Sequence, residues 1–422
     1  MVWLYFGAIL VCALIWIVGV FVFLDWWQII LLNLAVLAIV GLVLLYRRWR
    51  IGRAALALEK QMMEGGDKQK QNTRPDRRGE IGALQDTMKS GIAALKKTRG
   101  GRRALATLPW YVIIGPPGAG KTTALKQSGL DFPLEDGRGA GSRGVGGTRN
   151  CEWWFTNDAI LLDTAGRYAT EADDRDEWMS FLDMLRRFRA QPINGVFVAV
   201  SLADLAQATE EQIEFHAKNL RARIDELMVR LQMVVPVYVM LTKADLTSGF
   251  VEFFGDLRKS ERGQIWGVTF PLHKPPGWDC EKAVEVEFEL LVQTLHARAI
   301  RRVGGERQME QRPKILQFPL EFQLLKKSVA QFTAVLMRPN VYQENPLLRG
   351  VYFTSGTQEG RPIDRILGSM AQAFGLQPAQ MPTPSPSLEQ KSYFVTDLFK
   401  QVAFPDCGVA HRHRTSRRIG PR

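Results

Sequence analysis

The sequence predicts an α/β fold built on a parallel sheet and preceded by a pair of membrane-spanning helices. Three observations support this prediction. Short apolar runs typical of buried strands, such as Trp110–Ile114, alternate with longer stretches of helical spacing. A glycine-rich loop follows that first strand directly. The first 46 residues carry a single charge, that of Asp25.

The composition bounds the size and the class of the protein. Its 422 residues are enough for two or three compact units. A net charge of +12 suits either nucleic acid or an anionic membrane surface. The four cysteines are far apart and form no CxxC or Cys/His spacing, so neither a zinc site nor a disulfide framework is expected.

The uncharged start of the chain predicts a transmembrane hairpin. Val2–Leu24 and Trp26–Tyr46 contain no charged residue. A helix rises about 1.5 Å per residue, so each run spans about 30 Å, the thickness of a bilayer core. Four arginines between residues 47 and 53 place the following chain in the cytoplasm. A signal peptide is disfavoured because there is no basic start and the first run is too long.

A basic linker is expected after the hairpin. Eleven Lys and Arg lie between Lys68 and Arg103, and no aromatic residue is interleaved to stack on bases. Membrane lipid is therefore the expected partner, and nucleic acid is not. Apolar residues at helical spacing predict one amphipathic helix in this linker: Ile81, Leu84, Met88, Ile92 and Leu95.

The glycine-rich loop Gly115–Thr122 matches the pattern G-x-x-x-x-G-K-[ST] in full and lies between a predicted strand and a predicted helix. Its glycines allow backbone amides to point at phosphate oxygens, and the dipole of the following helix adds positive potential. The lysine suits the β- and γ-phosphates and the threonine hydroxyl suits Mg²⁺. The residues predicted to bind the phosphates are Gly115, Gly118, Gly120, Lys121, Thr122 and Thr123.

A second motif, Asp163-Thr164-Ala165-Gly166, follows a buried strand. Asp163 would hold Mg²⁺ through water, and the Gly166 amide would face the γ-phosphate. Upstream, Thr148 lies in a glycine-rich loop and is placed to act as a switch threonine on Mg²⁺. The predicted metal ligands are thus Thr122, Asp163 and Thr148.

Two further apolar strands are predicted at Gly195–Leu202 and Pro236–Leu241. The second ends in Thr242, Lys243, Ala244 and Asp245, which resembles the guanine-reading [NT]-K-x-D motif of P-loop GTPases. In that family the carboxylate binds the guanine N–H groups while the lysine stem covers the base. The resemblance implies an α/β P-loop GTPase-like domain that binds GTP or ATP with Mg²⁺.

Two features depart from that pattern. Arg167 stands where a Ras-like protein has a water-orienting glutamine, so slow hydrolysis is expected. Two segments are candidates for the last element that contacts the base: the strand Ile265–Phe270 and the distant Phe353–Gly356. Between them, Glu281–Arg302 and Phe318–Met337 have helical spacing, which predicts an added helical subdomain that interrupts or follows the nucleotide fold.

These observations predict five segments. Near the C-terminus, a proline-rich linker precedes a short amphipathic helix that includes Phe394 and Val402, and a basic tail suits a second membrane margin. The segments are residues 1–50 (transmembrane hairpin), 51–105 (basic linker), 106–275 (P-loop domain), 276–376 (helical subdomain and return strand) and 377–422 (linker, amphipathic helix and tail).

Six stretches in order resemble the IcmF/TssM family of type VI secretion inner-membrane proteins: GPPGAGKTTAL, GGTRNCEWWF, LLDTAGRY, LTKAD, GVYFTSGTQEG and FVTDLFKQVAFP. Members of that family continue into a third membrane helix and a periplasmic part, so the chain resembles the N-terminal portion or a truncated member. The resemblance implies a multi-pass inner-membrane component of a multi-copy secretion complex, with a cytoplasmic nucleotide domain acting as a switch or scaffold. The partners it implies are a DotU/TssL-like inner-membrane protein and baseplate components.

Two other classes compete with this interpretation. A membrane-bound GTPase of the signal-recognition receptor type shares both nucleotide motifs, but it carries a helical bundle ahead of its nucleotide domain. A basic, nucleic-acid-binding ATPase is disfavoured by the hydrophobic start.

Overall fold

The computed structural model describes most of the region after residue 106. The described ranges there are residues 107–132, 151–170, 175–189, 191–340, 343–356 and 392–412. Near the N-terminus the described positions are 10, 16, 26–28, 30–42 and 46, and all of them are helical. Several predictions lie outside these ranges: the turn at Asp25, the linker 51–105, Thr148, the proline-rich linker and the tail beyond residue 412.

The chain divides into two compact units, residues 1–61 with 99–107 and residues 62–98 with 108–422. In the first unit, residues 30–42 form a helix with exposed apolar side chains such as Leu34 and Leu42. Within the described residues, no helix combines the length and the apolar character needed to cross a bilayer.

The second unit alternates strands and helices. Its strands are β1 (Trp110–Ile114), β2 (Glu152–Phe155), β3 (Ile160–Asp163), β4 (Gly195–Ser201), β5 (Met233–Val234), β6 (Pro236–Thr242), β7 (Gly267–Thr269), β8 (Leu347–Phe353) and β9 (His411–Arg412). Its helices are α1 (Lys121–Lys126), α2 (Arg167–Thr170), α3 (Arg175–Phe188), α4 (Leu202–Gln207), α5 (Glu210–Leu231), α6 (Phe250–Phe254), α7 (Cys280–Gly305), α8 (Gln311–Gln323) and α9 (Lys326–Leu336).

Seven strands form one mixed sheet in the order β2-β3-β1-β4-β6-β8-β7. The five central strands are parallel, and the edge strands β2 and β7 are antiparallel to their neighbours. Every residue of β1, β4 and β6 is buried. Such continuous apolar strands are typical of a parallel sheet covered on both faces, which confirms the predicted α/β class.

The helical subdomain interrupts the sheet rather than following it. Leu347–Phe353 (β8) pairs in parallel with β6. Gly267–Thr269 (β7) pairs with β8, on the side of β8 that faces away from β6. Helices α7, α8 and α9 therefore lie in sequence between two neighbouring strands, and the sheet crosses the boundary expected at residue 275. Sequence spacing left both strands open because it does not show which one hydrogen-bonds to β6.

An aromatic cluster joins the helical subdomain to the sheet. Its members are Phe250, Phe253, Phe254, Phe288, Trp266, Phe318, Phe322, Phe353 and Phe394. Phe288 of α7 stacks on Phe322 of α8 at 4.5 Å between ring centroids. The helix expected over Phe318–Met337 is divided into α8 and α9 at residues 324–325, and each of the two helices buries its own set of apolar side chains.

Apolar residues of the segment 392–412 pack in the core of the sheet; the sequence predicted a proline-rich linker, an amphipathic helix and a basic tail over residues 377–422. Leu398 and Phe399 are fully buried in the cluster that covers β1 and β4. The turn Leu398–Ala403 is π-helical, with the Phe404 amide donating to the Phe399 carbonyl at 2.9 Å. The apolar face of the predicted amphipathic helix thus packs on protein.

Candidate nucleotide-binding site

The phosphate loop (Gly115–Thr122) connects β1 to α1 and needs glycine at three positions. A Cβ at Gly115 would overlap the Ala199 carbonyl oxygen of β4. Gly118 and Gly120 have φ values of +73° and +75°, in the left-handed region that other residues rarely adopt. The loop curls tightly against the sheet, as a phosphate cradle requires.

Lys121 lies inside this loop. Its ammonium donates to the carbonyl oxygens of Gly115 at 2.8 Å and Pro116 at 3.0 Å. Burial lowers the pKa of Lys121 to about 8, and the nearby Asp163 carboxylate opposes that shift. A cation held by neutral carbonyls in a buried loop is a favourable partner for an anion, because a phosphate would supply the charge that its surroundings lack.

The structure brings together two of the three predicted metal ligands. The Thr122 hydroxyl donates to the Asp163 Oδ2 at 2.5 Å across the gap between the phosphate loop and β3. Thr148 lies outside the described residues. Within those residues, no group of three or more His, Cys, Asp or Glu could hold a metal ion. Thr122 and Asp163 could hold Mg²⁺ together with nucleotide phosphates, which commonly supply ligands to Mg²⁺ in proteins.

Glu152 is a neighbour of the metal side that sequence reasoning missed. It pairs with Asp163 across the antiparallel β2–β3 ladder. Burial, with the Asp163 charge adding to it, raises the pKa of Glu152 to about 7. The sequence signal that could have indicated this neighbour is the register of the β2–β3 hairpin, which places Glu152 opposite Asp163.

The loop after β3 packs directly on the phosphate loop. Thr164 donates its amide and its hydroxyl to the Ile113 carbonyl, at 3.2 and 2.8 Å. A Cβ at Gly166 would overlap the backbone of Pro117. The second motif therefore packs against the phosphate loop through Gly166.

Arg167 is directed toward α3. Its guanidinium forms an ion pair with Glu177 at 2.8 Å and lies over the Tyr168 ring at 5.6 Å. Glu177 is largely buried, so the pair is partly shielded from water. In this arrangement Arg167 ties the loop after β3 to α3.

The third motif lies beside the phosphate loop. The Thr242 hydroxyl donates to the Ala119 carbonyl at 2.6 Å, which ties the end of β6 to the loop. Lys243 has a φ of +57°, an uncommon backbone conformation for a lysine. Asp245 follows in a buried turn.

Asp245 has one bound and one unbound carboxylate oxygen. The Ser355 hydroxyl donates to Oδ1 at 2.6 Å. Oδ2 is buried and has no hydrogen-bond partner among the described residues. Burial raises the pKa of the Asp245 carboxyl, and the Ser355 hydrogen bond opposes that shift. A buried acceptor of this kind favours a ligand that presents N–H donors.

Of the two distant segments, Phe353–Gly356 lies beside Asp245, because its Ser355 hydroxyl binds that carboxylate. Thr354 follows β8 and accepts from the Ala244 amide at 3.1 Å, so Phe353–Gly356 lies against the Asp245 turn. A Cβ at Gly356 would come within 2.8 Å of the Thr123 methyl group on α1. The alternative segment at Phe270 instead pairs with β8 through the Arg349 carbonyl.

The predicted residues therefore fit a magnesium nucleotide. Lys121 comes after β1, Asp163 is the last residue of β3, and Asp245 comes after β6. All three therefore lie at the carboxyl edge of one parallel sheet, where open α/β sheets bind ligands. The glycine cradle, the buried cation and the unbound Asp245 oxygen match phosphate and base chemistry. Fold and site define the class of protein: a P-loop α/β protein with an inserted helical subdomain.

Comparisons with known proteins identify the family. The model of the IcmF-related N-terminal domain matches residues 171–421. The type VI secretion system component TssM1 of Pseudomonas aeruginosa is 48% identical over 340 residues, which cover 78% of this chain and 31% of that protein. The chain belongs to the IcmF-related family, and it spans about a third of the length of this relative.

Two solved structures share weaker similarity. The SRb-GTP/SRX complex of the signal recognition particle receptor from Chaetomium thermophilum matches at 20% identity and a TM-score of 0.24, covering 35% of this chain and 76% of that chain. NFeoB from S. thermophilus bound to GDP.AlF4- and K+ matches at 13% identity and a TM-score of 0.22, covering 55% and 98%. TM-scores of this size do not establish a common architecture, so the fold assignment rests on the strand order.

Proposed function

We propose that this chain is a membrane-anchored component of a type VI secretion complex and that its α/β domain binds a guanine nucleotide with Mg²⁺. Membership of the IcmF-related family and the similarity to TssM1 support the secretion role over a receptor-type GTPase. The observation that carries the nucleotide role is the meeting of Lys121, Asp163 and Asp245 at one edge of the sheet.

Each side of the site has its own residues. Phosphates would bind to the amides of Gly118 and Gly120 and to Lys121, with Thr123 near the α1 terminus. Thr122 and Asp163 would hold Mg²⁺, which neutralises phosphate charge when bound. Thr148 stays the predicted third metal contact, and Gly166 the predicted γ-phosphate contact.

On the base side, we expect guanine to be preferred over adenine. The unbound Oδ2 of Asp245 suits the paired N–H donors of guanine, and Ser355 holds the carboxylate in place through Oδ1. Adenine offers no such donor pair, so it would leave the buried acceptor unsatisfied. Lys243 would cover the base with its aliphatic stem, and Thr242 fixes the distance between the base and phosphate sides through Ala119.

Bound nucleotide should turn over slowly. Arg167 is engaged by Glu177 and provides no group that orients an attacking water. Positioning and charge stabilisation supply most of phosphoryl-transfer catalysis, so turnover should lie well below the roughly 1–100 per second of kinases. The site therefore suits a switch or a scaffold better than an enzyme of high turnover.

Membrane anchoring by the hairpin in residues 1–50 is part of the proposal. It is supported by the two uncharged runs and by the helical conformation of every described position between 10 and 46. The expected neighbours are inner-membrane lipid, a DotU/TssL-like protein and baseplate components, in a multi-copy assembly. A phosphatase reporter fused at Gly52 should be inactive, because that residue is expected in the cytoplasm; activity there would contradict the hairpin.

The switch is tested by a strain that carries Lys121→Ala. The substitution removes the buried cation of the phosphate loop, so nucleotide binding should be lost while the protein still inserts in the membrane. Secretion should fall if nucleotide state gates the assembly. Lys282→Ala, an exposed lysine at the start of α7, is the matched control and should secrete normally. Full secretion by a Lys121→Ala strain whose protein binds no nucleotide would leave only the scaffold role.

A further inference from the structure

A segment far along the chain touches the base side of the site. Tyr393 and Ser355 form an antiparallel bridge, with the Ser355 amide donating to the Tyr393 carbonyl at 3.0 Å and the Tyr393 amide donating back at 2.9 Å. Ser355 is the residue whose hydroxyl binds Asp245. The backbone of Tyr393 thus fixes the residue that orients the candidate base-reading carboxylate.

The Tyr393 side chain lies in the same neighbourhood. It is only 2% exposed, and the Arg262 guanidinium lies 5.6 Å from its ring centroid. Burial raises the pKa of the Tyr393 hydroxyl; Arg262 opposes the shift, and Asp245 is among the charges that add to it.

The residues that follow Tyr393 bind two other loops. The Thr396 hydroxyl donates to the Ser128 carbonyl at 2.6 Å, just beyond α1. The Phe394 amide donates to the Arg262 carbonyl at 2.6 Å, and the Asp397 amide to the Gly263 carbonyl at 2.9 Å. Residues 393–397, here called the clamp segment, thus connect the base side, the end of the phosphate-loop helix and the loop before β7.

The clamp segment holds a strained backbone. Phe394 has a φ of +63°, a conformation rare for a bulky residue. Its ring packs on Phe254 at 5.0 Å and on Trp266 at 5.3 Å, which offsets the strain. Strained residues are retained where the surroundings over-determine them, and they cluster at functional sites.

We infer that the clamp segment is a positioning part of the nucleotide site: it holds Ser355, and through it Asp245, in the geometry that binds guanine. The inference rests on the proposed nucleotide function. It assigns residues 393–397 to base selectivity, although they lie almost 150 positions beyond Asp245 in the sequence.

The unaltered chain supplies the first test. Hydrogen exchange of the full chain in detergent is measured alone, with Mg²⁺ and GDP, and with Mg²⁺ and inorganic pyrophosphate. GDP should slow exchange in peptides covering Ser355 and the clamp segment, since a bound base stabilises the bridge. Pyrophosphate should protect the phosphate loop only. Equal protection of the clamp segment by both ligands, or by neither, would overturn the inference.

Variants supply the second test. Tyr393→Ala removes the buried ring that packs on Phe250 at 5.4 Å and lies under Arg262, so the clamp segment and its backbone bridge to Ser355 should loosen and GDP should bind about tenfold more weakly. Its affinity for pyrophosphate should stay within about twofold, because the phosphate loop is untouched. Tyr393→Phe keeps the ring and the backbone bridge, so it should bind GDP about as tightly as the unaltered chain. Phe404→Ala, a truncation in the same C-terminal region that packs on Tyr111 and Phe399, should leave the ratio of the two affinities unchanged.

The outcomes separate the two levels of the argument. A Tyr393→Ala chain that folds and binds GDP as tightly as the unaltered chain would overturn the clamp inference alone. An unaltered chain that binds pyrophosphate and shows no preference for GDP would overturn base reading by Asp245 and the clamp with it. An unaltered chain that binds neither ligand would overturn the nucleotide function itself.

Discussion

Phe399→Ala tests whether residues 392–412 belong to the folded core. Phe399 is fully buried, and its ring packs 4.9 Å from that of Phe197 on β4 and 6.1 Å from that of Phe404. Deleting a buried phenylalanine ring removes its transfer free energy and leaves a cavity, which together cost about 3–5 kcal/mol. The free energy of unfolding should fall by that amount.

The assay is thermal unfolding of the full chain, followed by circular dichroism. For a domain of about 150–250 residues, each kcal/mol shifts the Tm by about 2–4 °C, so the melting temperature should fall by roughly 6–20 °C. Phe215→Ala is the matched control, because its ring is 61% exposed on α5. Surface substitutions of this kind usually stay within about 0.5 kcal/mol. Equal melting temperatures for the two variants would show that the C-terminal residues do not pack on the sheet.

Three further substitutions test the site by their effect on binding or stability. Gly166→Ala should displace the phosphate-loop backbone and abolish tight nucleotide binding, whereas Gly304→Ala, with open space around it, should not; equal binding by both would contradict the close packing. Thr242→Val removes the bond that ties β6 to the phosphate loop, so nucleotide affinity should fall about fivefold for a loss of about 1 kcal/mol. Thr294→Val, which loses a similar hydrogen bond at an exposed position of α7, should bind nucleotide normally. An equal loss of nucleotide affinity in Thr294→Val would refute the specific role of the Thr242 hydroxyl. Arg167→Ala leaves a buried carboxylate without its ion-pair partner and should lower the free energy of unfolding by about 1–3 kcal/mol, measured by urea denaturation; no change would refute the stabilising role of the pair.

Local patterns predicted the parts of the site that lie within single stretches of sequence. The phosphate loop between β1 and α1, the strand that ends at Asp163 and the turn after β6 occur where the sequence indicated. Each of these combines a continuous buried strand with a glycine or polar motif at its end, and both signals depend only on neighbouring residues.

Long-range pairing explains what the sequence did not predict. The role of Ser355 depends on β8 pairing with β6 across an inserted helical subdomain, and neither periodicity nor motif spacing encodes that neighbour. The amphipathic pattern of residues 394–402 indicated an apolar face but could not distinguish a membrane surface from the sheet that it covers. The backbone strain at Phe394 has no sequence signal, because phenylalanine is not a residue expected at positive φ.

The most direct test of the central claim is the equilibrium binding of GDP and ADP to the full chain with Mg²⁺, measured by calorimetry for the unaltered protein and for Asp245→Asn. The account predicts that GDP binds at least about tenfold more tightly than ADP, because guanine offers the buried Asp245 carboxylate a pair of N–H donors that adenine lacks. Asp245→Asn should remove that preference and improve the binding of xanthine nucleotides. Equal affinities for GDP and ADP in the unaltered chain, or no binding of either, would contradict it.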